Sequence, residues 1–412
     1  MPSPPTPGPG SADTYFTVSG RYIDLSDAPV EPSGARPAAG VKFFVKGMVY
    51  SPTPIGTTVG EPPLLNDALR NGNSAIWSRD LPRLRSMGVN AIHVYNVVPP
   101  PDDTTTGPIS DFLNAAWNGG KQPVYVIMSI YFAGDKLYDK NEVTKFAKKY
   151  HDLDAKYAMY PSVMGVAISN EIGEKYWTDP KWWQAFNVIA RAAKQGFADG
   201  GDADKIVTTS EADYDADAIK YGTQNGAAVD AWGVNIYRGR TVTNLFAQIK
   251  EYTKSSPKPV ILTEYGASAA YHPAWKNRYE YKTGLNDRGV CIPNTRNGPP
   301  STDVKELPPS GNPNMAGLVD LVTNNAKLLY SGYKDGGVVS GGFYFEWSDE
   351  WWKAGNPSKH LGSDYFKDYF PGCGEDAGWF GLNAVSKGSG TVDVLKPRPT
   401  LSALKTTWSS QP

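Results

Sequence analysis

A chain of 412 residues with 40% hydrophobic side chains can bury a large core, as one barrel or as two or three smaller domains. Its 41 basic and 42 acidic residues leave a net charge of −1, which gives no electrostatic case for nucleic acid or an anionic lipid surface as a partner. No apolar run reaches the ~18 residues of a membrane-spanning helix, the four histidines are scattered, and no metal-ligand or cofactor-binding spacing is visible.

Taken in order, the chain opens on M-P-S-P-P-T-P-G-P-G, which lacks the basic and apolar regions of a signal peptide. Residues 1–40 read as a disordered Pro/Gly-rich segment, left after a leader or anchor was removed; the working location expected is secreted, periplasmic or cell-surface. From residue 41 strands and helices alternate. The first strand is predicted over 41–50 and a helix over 76–87, with Gly88 as its C-cap. Strand two covers 89–96, a helix 109–118, strand three 123–131 and a helix 141–159. Strand four covers 163–172, followed by a helix over 180–197. Strands five, six and seven cover 205–210, 229–237 and 259–264. A helix over 316–333 leads into strand eight, 337–347. Eight strands in this pattern predict an α/β chain, a single (β/α)₈ TIM barrel over 41–412. An open doubly wound sheet fits less well, because no Gly-rich phosphate loop follows the first strand.

Two strands end unusually. V-M-G-V-A-I-S-N-E-I is a buried apolar run that stops in Ser169, Asn170 and Glu171. P-V-I-L-T-E-Y-G-A repeats the design with Glu264 at its tip. A carboxyl group at the end of a buried strand is expected in partly dry surroundings, where it holds a proton more readily and can act as a general acid. In a barrel both strand ends open on the same mouth. Two glutamates across one mouth are what glycoside hydrolysis needs: one protonates the leaving oxygen, the other attacks or stabilises the anomeric carbon. The 12 Trp and 24 Tyr suit a sugar site, whose walls stack on pyranose faces, and suit an aromatic core equally.

S-N-E on strand four and T-E-Y-G on strand seven resemble the large clan of retaining glycoside hydrolases with (β/α)₈ barrels. V-N-A-I-H-V-Y-N-V with W-G-V-N-I-Y is similar to the β-1,3-glucanosyltransferases; T-E-Y-G-A and N-I-Y-R-G are also similar to the catalytic barrel of β-galactosidases and β-glucuronidases. The resemblance covers about residues 41–385. It implies Glu171 as acid/base, Glu264 as nucleophile, and Asn170 as the partner of the sugar 2-hydroxyl. It implies Tyr237 as a hydroxyl touching the nucleophile and Trp347 as the floor of the reacting subsite. The chain departs from the clan on strand two, where an Arg usually pairs with the nucleophile and His93 stands instead. A neutral His93 would give one hydrogen bond, a protonated one charge as well near pH 6.

Tyr50, Tyr95, Asn96, Tyr131, Trp177, Glu211, Trp351 and Trp352 follow or end strands on the same face and are candidate subsite walls. Glu346, Asp349 and Glu350 form an acidic group that could bind sugar hydroxyls, bind a cation or solvate a loop. Two long irregular stretches, 272–313 and 354–382, are placed to wall or cover the cleft. Cys291 and Cys373 are either one disulfide or two loop thiols.

The expected activity is that of a retaining β-glycoside hydrolase or transglycosylase acting on a β-linked glucan or oligosaccharide through a covalent glycosyl-enzyme. It needs no cofactor and works as a monomer or small homo-oligomer. The two carboxyl groups should then lie roughly 5–5.5 Å apart. The alternative is a non-catalytic carbohydrate-binding barrel with a degenerate site.

Overall fold

Eight short apolar runs hydrogen-bond side by side, all parallel, into a closed barrel. They are β1 (Val45–Val49), β2 (Ala91–Val94), β3 (Tyr125–Ile130), β4 (Val163–Ile172), β5 (Ile206–Ala212), β6 (Trp232–Asn235), β7 (Val260–Tyr265) and β8 (Gly341–Tyr344). β8 closes the ring by pairing with both β7 and β1. The computed structural model describes residues 15–26, 40–57, 74–97, 108–212, 216–239, 242, 244–271, 279–280, 290–291, 304–311, 314–362, 377–388 and 392–411. Most of 272–313, half of 354–382, and Cys373 lie outside these residues.

The crossover helices are α1 (Ser74–Ser86), α2 (Pro108–Trp117), α3 (Lys140–Tyr157), α4 (Pro180–Asp199), α5 (Asp217–Gln224), α6 (Asn244–Tyr252) and α7 (Met315–Lys334); α8 (Pro399–Ser409) follows the barrel. Their starts are written locally. The Asp139 side chain accepts the Asn141 N–H at 2.8 Å to cap α3, and Asp179 accepts the Lys181 N–H at 2.9 Å to cap α4, whose first residue is Pro180. Strands covered on both faces bury nearly every side chain, which is why they read as continuous apolar runs rather than alternating ones. The β4–β5 contact is so close that a Cβ on Gly165 would meet the Ile206 carbonyl oxygen at 1.9 Å.

Three features depart from the expected element map. α5 and α6 are additional; with 8 and 9 residues each is only about two turns long, shorter than the helices expected from the sequence. Second, the 1–40 segment expected to be disordered contains an antiparallel hairpin, Tyr15–Ser19 with Tyr22–Ser26, which pairs onward with Val41–Lys42. Its Phe16 and Ile23 are fully buried, and the Phe16 ring packs edge-on against Phe43 and Tyr125 at 5.5 and 4.9 Å. Those rings precede β1 and open β3, so the hairpin stops the end of the barrel opposite the Glu-bearing tips. Third, a hairpin of Asn383–Ser386 with Val394–Pro397 leads into α8. Its Arg398 forks onto Asp349 with two 2.7 Å bonds and reaches Glu306 at 2.6 Å. No helix among the described residues is long and apolar enough to cross a membrane.

Candidate active site

The site begins with two irregular strand ends. β4 runs buried from Val163 to Ile168 and then changes character. Ser169 and Glu171 adopt left-handed backbone with φ of 63° and 52°, which non-glycine residues seldom do. The pairing with β5 slips between Ile168 and Ile172. The Ser169 N–H donates to the Tyr150 hydroxyl at 2.8 Å and its Oγ donates to the Phe132 carbonyl at 2.8 Å, which hold the irregular turn. A bulge of this kind re-aims side chains, and here it sends Asn170 and Glu171 to the cavity at the mouth. β7 does the same: its register against both β6 and β8 shifts around Glu264.

Glu264 is 4% exposed and is held by two phenols. The Tyr237 hydroxyl donates to Oε2 at 2.7 Å, and the Tyr95 hydroxyl donates to Oε1. Burial and the facing charge of Glu171 push the Glu264 carboxyl up to about 8, against the pull of both phenol bonds and of Lys353. The dry surroundings expected for Glu171 are thus found at Glu264, whereas Glu171 stands exposed in the mouth. Tyr95 is buried and Tyr237 partly buried, and desolvation of their hydroxyls together with the Glu264 charge pushes both well above their ordinary range, so they remain donors.

Asn235 knits the two sides together. Its Nδ2 donates to Asn170 Oδ1 at 3.1 Å and to Glu171 Oε1 at 3.4 Å, while its Oδ1 accepts the Thr263 hydroxyl at 2.7 Å. Ser210 adds a second donor to Asn170 Oδ1 at 2.9 Å. With that oxygen taken, the donor end of the Asn170 amide is left for the cavity. The cavity has a volume of about 250 Å³ and brings together Tyr95, Asn170, Glu171, Tyr237 and Glu264. Ser51, Phe345, Glu350, Lys353, Ala377 and Phe380 complete its wall.

Several expected wall residues are elsewhere. His93 is fully buried, with Nδ1 3.4 Å from the Thr263 carbonyl and its ring 4.4 Å from that of Tyr95. Burial pushes it down to about 4, so it is neutral and supplies no charge near pH 6. Alternation along β2 points His93 and Tyr95 to the same side, but His93 lies one layer deeper, and Tyr95 makes the bond to Glu264. Trp347 is 1% exposed, with its backbone N–H on the Val49 carbonyl at 3.1 Å; the cavity aromatic after β8 is Phe345, two residues earlier. Tyr50 is fully buried, its hydroxyl donating to Asp80 at 3.2 Å. Asn96 uses its side-chain oxygen on the Tyr131 N–H at 2.7 Å. Trp177 and Glu211 are buried together, the indole N–H bonded to the carboxylate at 3.0 Å. Tyr131 is 40% exposed and feels the charge of Glu171, which places it at the rim. Trp351 stacks on His360 with ring centres 5.0 Å apart and lies outside the cavity wall, as does Trp352.

The acidic group after β8 is not a solvated loop. Glu346, Asp349 and Glu350 are all buried; Arg398 neutralises Asp349, and Lys353 lies 2.5 Å from Glu350 and 3.8 Å from Glu346. Among the described residues no group of three or more His, Cys, Asp and Glu is arranged to hold a metal ion. Sequence reasoning passed over Asn235 and Lys353. Asn235 stood in W-G-V-N-I-Y, two residues before Tyr237, where alternation along a strand would have put both on one side. Lys353 had no such signal, because its position is set by a short turn, Trp351–Ala354.

No family model matches the chain. The 1,3-beta-glucanosyltransferase gas5 of Schizosaccharomyces pombe is 24% identical over 246 residues, which are 55% of this chain and 44% of that protein. The chain therefore spans less than half the length of that relative. Among solved structures, Saccharomyces cerevisiae Gas2p in complex with laminaritetraose and laminaripentaose is similar at a TM-score of 0.57 and 16% identity, over 97% of this chain and 68% of that one. A GH2 beta-galacturonidase from Eisenbergiella tayi is similar at a TM-score of 0.57 and 15% identity, over 96% and 54%. The barrel of this chain is of the kind that glycoside hydrolases use.

Proposed function

We propose that this chain is a retaining β-glycoside hydrolase or transglycosylase acting on a β-linked glucan or oligosaccharide. The observation that carries the reading is Glu264, gripped by two phenols at the tip of β7 and facing Glu171 at the tip of β4 across one cavity. The likeness to a 1,3-beta-glucanosyltransferase, and to Gas2p seen with laminaritetraose and laminaripentaose, supports a β-glucan as substrate. A substrate of that kind fits a secreted or cell-surface protein.

The chemistry is a double displacement. A Glu264 oxygen attacks the anomeric carbon while Glu171 gives its proton to the departing glycosidic oxygen, so the C–O bond to the leaving sugar breaks as the ester to Glu264 forms. Glu171, now a carboxylate, takes a proton from water or from another sugar's hydroxyl, and that oxygen displaces Glu264. The reactive form of this chemistry has the proton on Glu171 and the negative charge on Glu264. The phenol bonds favour placing the negative charge on Glu264, because each donor stabilises the anion more than the acid. The Asn170 amide is aimed to hold the sugar 2-hydroxyl, a bond that strengthens as positive charge grows at the anomeric carbon. Phe345 and Phe380, packed edge-on at 5.5 Å, offer an apolar face to the ring.

The test is turnover of laminarin, other β-glucans and aryl β-glycosides by wild type, Glu171→Gln and Glu264→Gln, with products resolved by size and by anomer in proton NMR. Retained configuration, lost in both variants, is the expected result, and products longer than the substrate assign transfer. Inverted products overturn the double displacement. Glycan binding without cleavage makes the chain a binding barrel instead.

A further inference from the structure

The nucleophile proposed above lacks a cation on strand two, since the residue there is a buried neutral histidine. The groups that face Glu264 come from four other places. Tyr95 stands just past β2, Glu171 is on β4, Tyr237 follows β6, and Lys353 comes from the turn after β8. Lys353 is the cation of this set. Its ammonium group lies 2.5 Å from Glu350 Oε2, 3.8 Å from Glu346 Oε1 and 4.1 Å from the centre of the Phe345 ring. Glu350 in turn accepts the Ser51 hydroxyl at 2.7 Å, and so is anchored to the segment after β1. Lys353 is thus clamped between a fixed carboxylate and an aromatic face, with Glu350, Phe345 and Glu264 all on the same cavity wall.

We propose that Lys353 is a positioning residue for the reaction, supplying from the turn after β8 the positive charge that favours the Glu264 anion against burial and the facing Glu171. The inference rests on Glu264 being the nucleophile. A charge brought in by a clamped ammonium acts in the same direction as a strand-two guanidinium, and Lys353 shares the cavity wall with Glu264, which is itself 4% exposed. The attraction between Lys353 and Glu264 acts on both partners: it joins the two phenol bonds in pulling Glu264 down against burial and Glu171, and joins Glu346 and Glu350 in raising Lys353 against burial. Glu350, by pairing with Lys353, tempers that charge and fixes where it sits. Glu346 is buried, and burial and the neighbouring Glu350 push it well up.

The direct test follows the Glu264 carboxyl by carbon-13 NMR, assigned by its loss in Glu264→Gln, in wild type, Lys353→Met, Lys353→Arg and Glu350→Gln without substrate. Lys353→Met should move the titration upward by about one pH unit, a roughly tenfold smaller ionised fraction below the midpoint. Lys353→Arg should restore most of it, and Glu350→Gln, which unpairs the ammonium, should move it downward. In all variants that turn over glycan, the acid limb of kcat/KM should move with the NMR titration. An unchanged Glu264 titration in folded Lys353→Met overturns the proposal. If Lys353→Met does not fold, an unchanged or raised titration in Glu350→Gln does so. Titrations that shift as stated in a protein without glycosidase turnover leave the charge effect standing and overturn only the catalytic reading.

Discussion

Replacing Glu264 by Gln should make the protein more stable at neutral pH, and increasingly so as pH rises. The buried carboxyl keeps its proton up to about 8, against 4.5 for an ordinary glutamate. Between those values the unfolded chain has released a proton that the folded chain retains, so wild-type stability falls with rising pH by about 1.4 kcal/mol per unit. By pH 7 the accumulated loss is about 3 kcal/mol. Glutamine does not ionise and escapes it. One phenol bond is kept at the amide oxygen, while the other meets an NH₂ group and must reverse, which costs about 1 kcal/mol. The net gain expected at pH 7 is about 2 kcal/mol, close to nothing at pH 5, and levelling off above pH 8. Urea unfolding of both proteins at pH 5, 6, 7 and 8 measures it. A difference that is the same at every pH, or a Gln variant less stable than wild type at pH 7, would refute the buried, proton-retaining carboxyl.

Other variants probe other links. Tyr95→Phe and Tyr237→Phe each remove a donor that lowers Glu264, so the acid limb of kcat/KM should move to higher pH in each and further in the double variant; limbs that stay put would deny the phenols that role. Arg398→Met strands the buried Asp349 carboxylate and should cost about 3–5 kcal/mol in urea unfolding, partly recovered by adding Asp349→Asn. Gly165→Ala drives a methyl into the Ile206 carbonyl, a backbone atom that cannot turn away, and should cost about 4 kcal/mol or prevent folding; a stable, active variant would contradict the β4–β5 spacing.

The barrel was legible because its strands are buried on both faces, and a continuous apolar run stopped by Asn-Glu or Thr-Glu says both "strand" and "strand end". The same run cannot say how its last residues turn. The left-handed backbone at Ser169 and Glu171, and the bulge it makes, emerge only when β5 is set beside β4. So the dry environment lies at Glu264 and not at Glu171. His93 is missed because alternation gives the side of a strand and not the depth along the barrel axis, while Trp347 lies past the end of β8, where strand alternation no longer applies. The hairpin at Tyr15–Ser26 carries the alternating Phe16 and Ile23 of a half-buried ribbon, a short signal beside long Pro/Gly-rich flanks. Asn235 was within reach of a period-two reading, whereas Lys353 depends on a turn that no periodicity specifies.

The most direct test of the central claim is to trap the covalent intermediate. Wild type incubated with an activated 2-deoxy-2-fluoro-β-glucoside or laminaribioside should stall as a glycosyl-enzyme, read as one added sugar by intact mass and placed on Glu264 by peptide sequencing. No such adduct should form in Glu264→Gln. Label on Glu171, or steady turnover of β-glucan with no adduct and inverted product, would contradict Glu264 as the nucleophile of a retaining reaction.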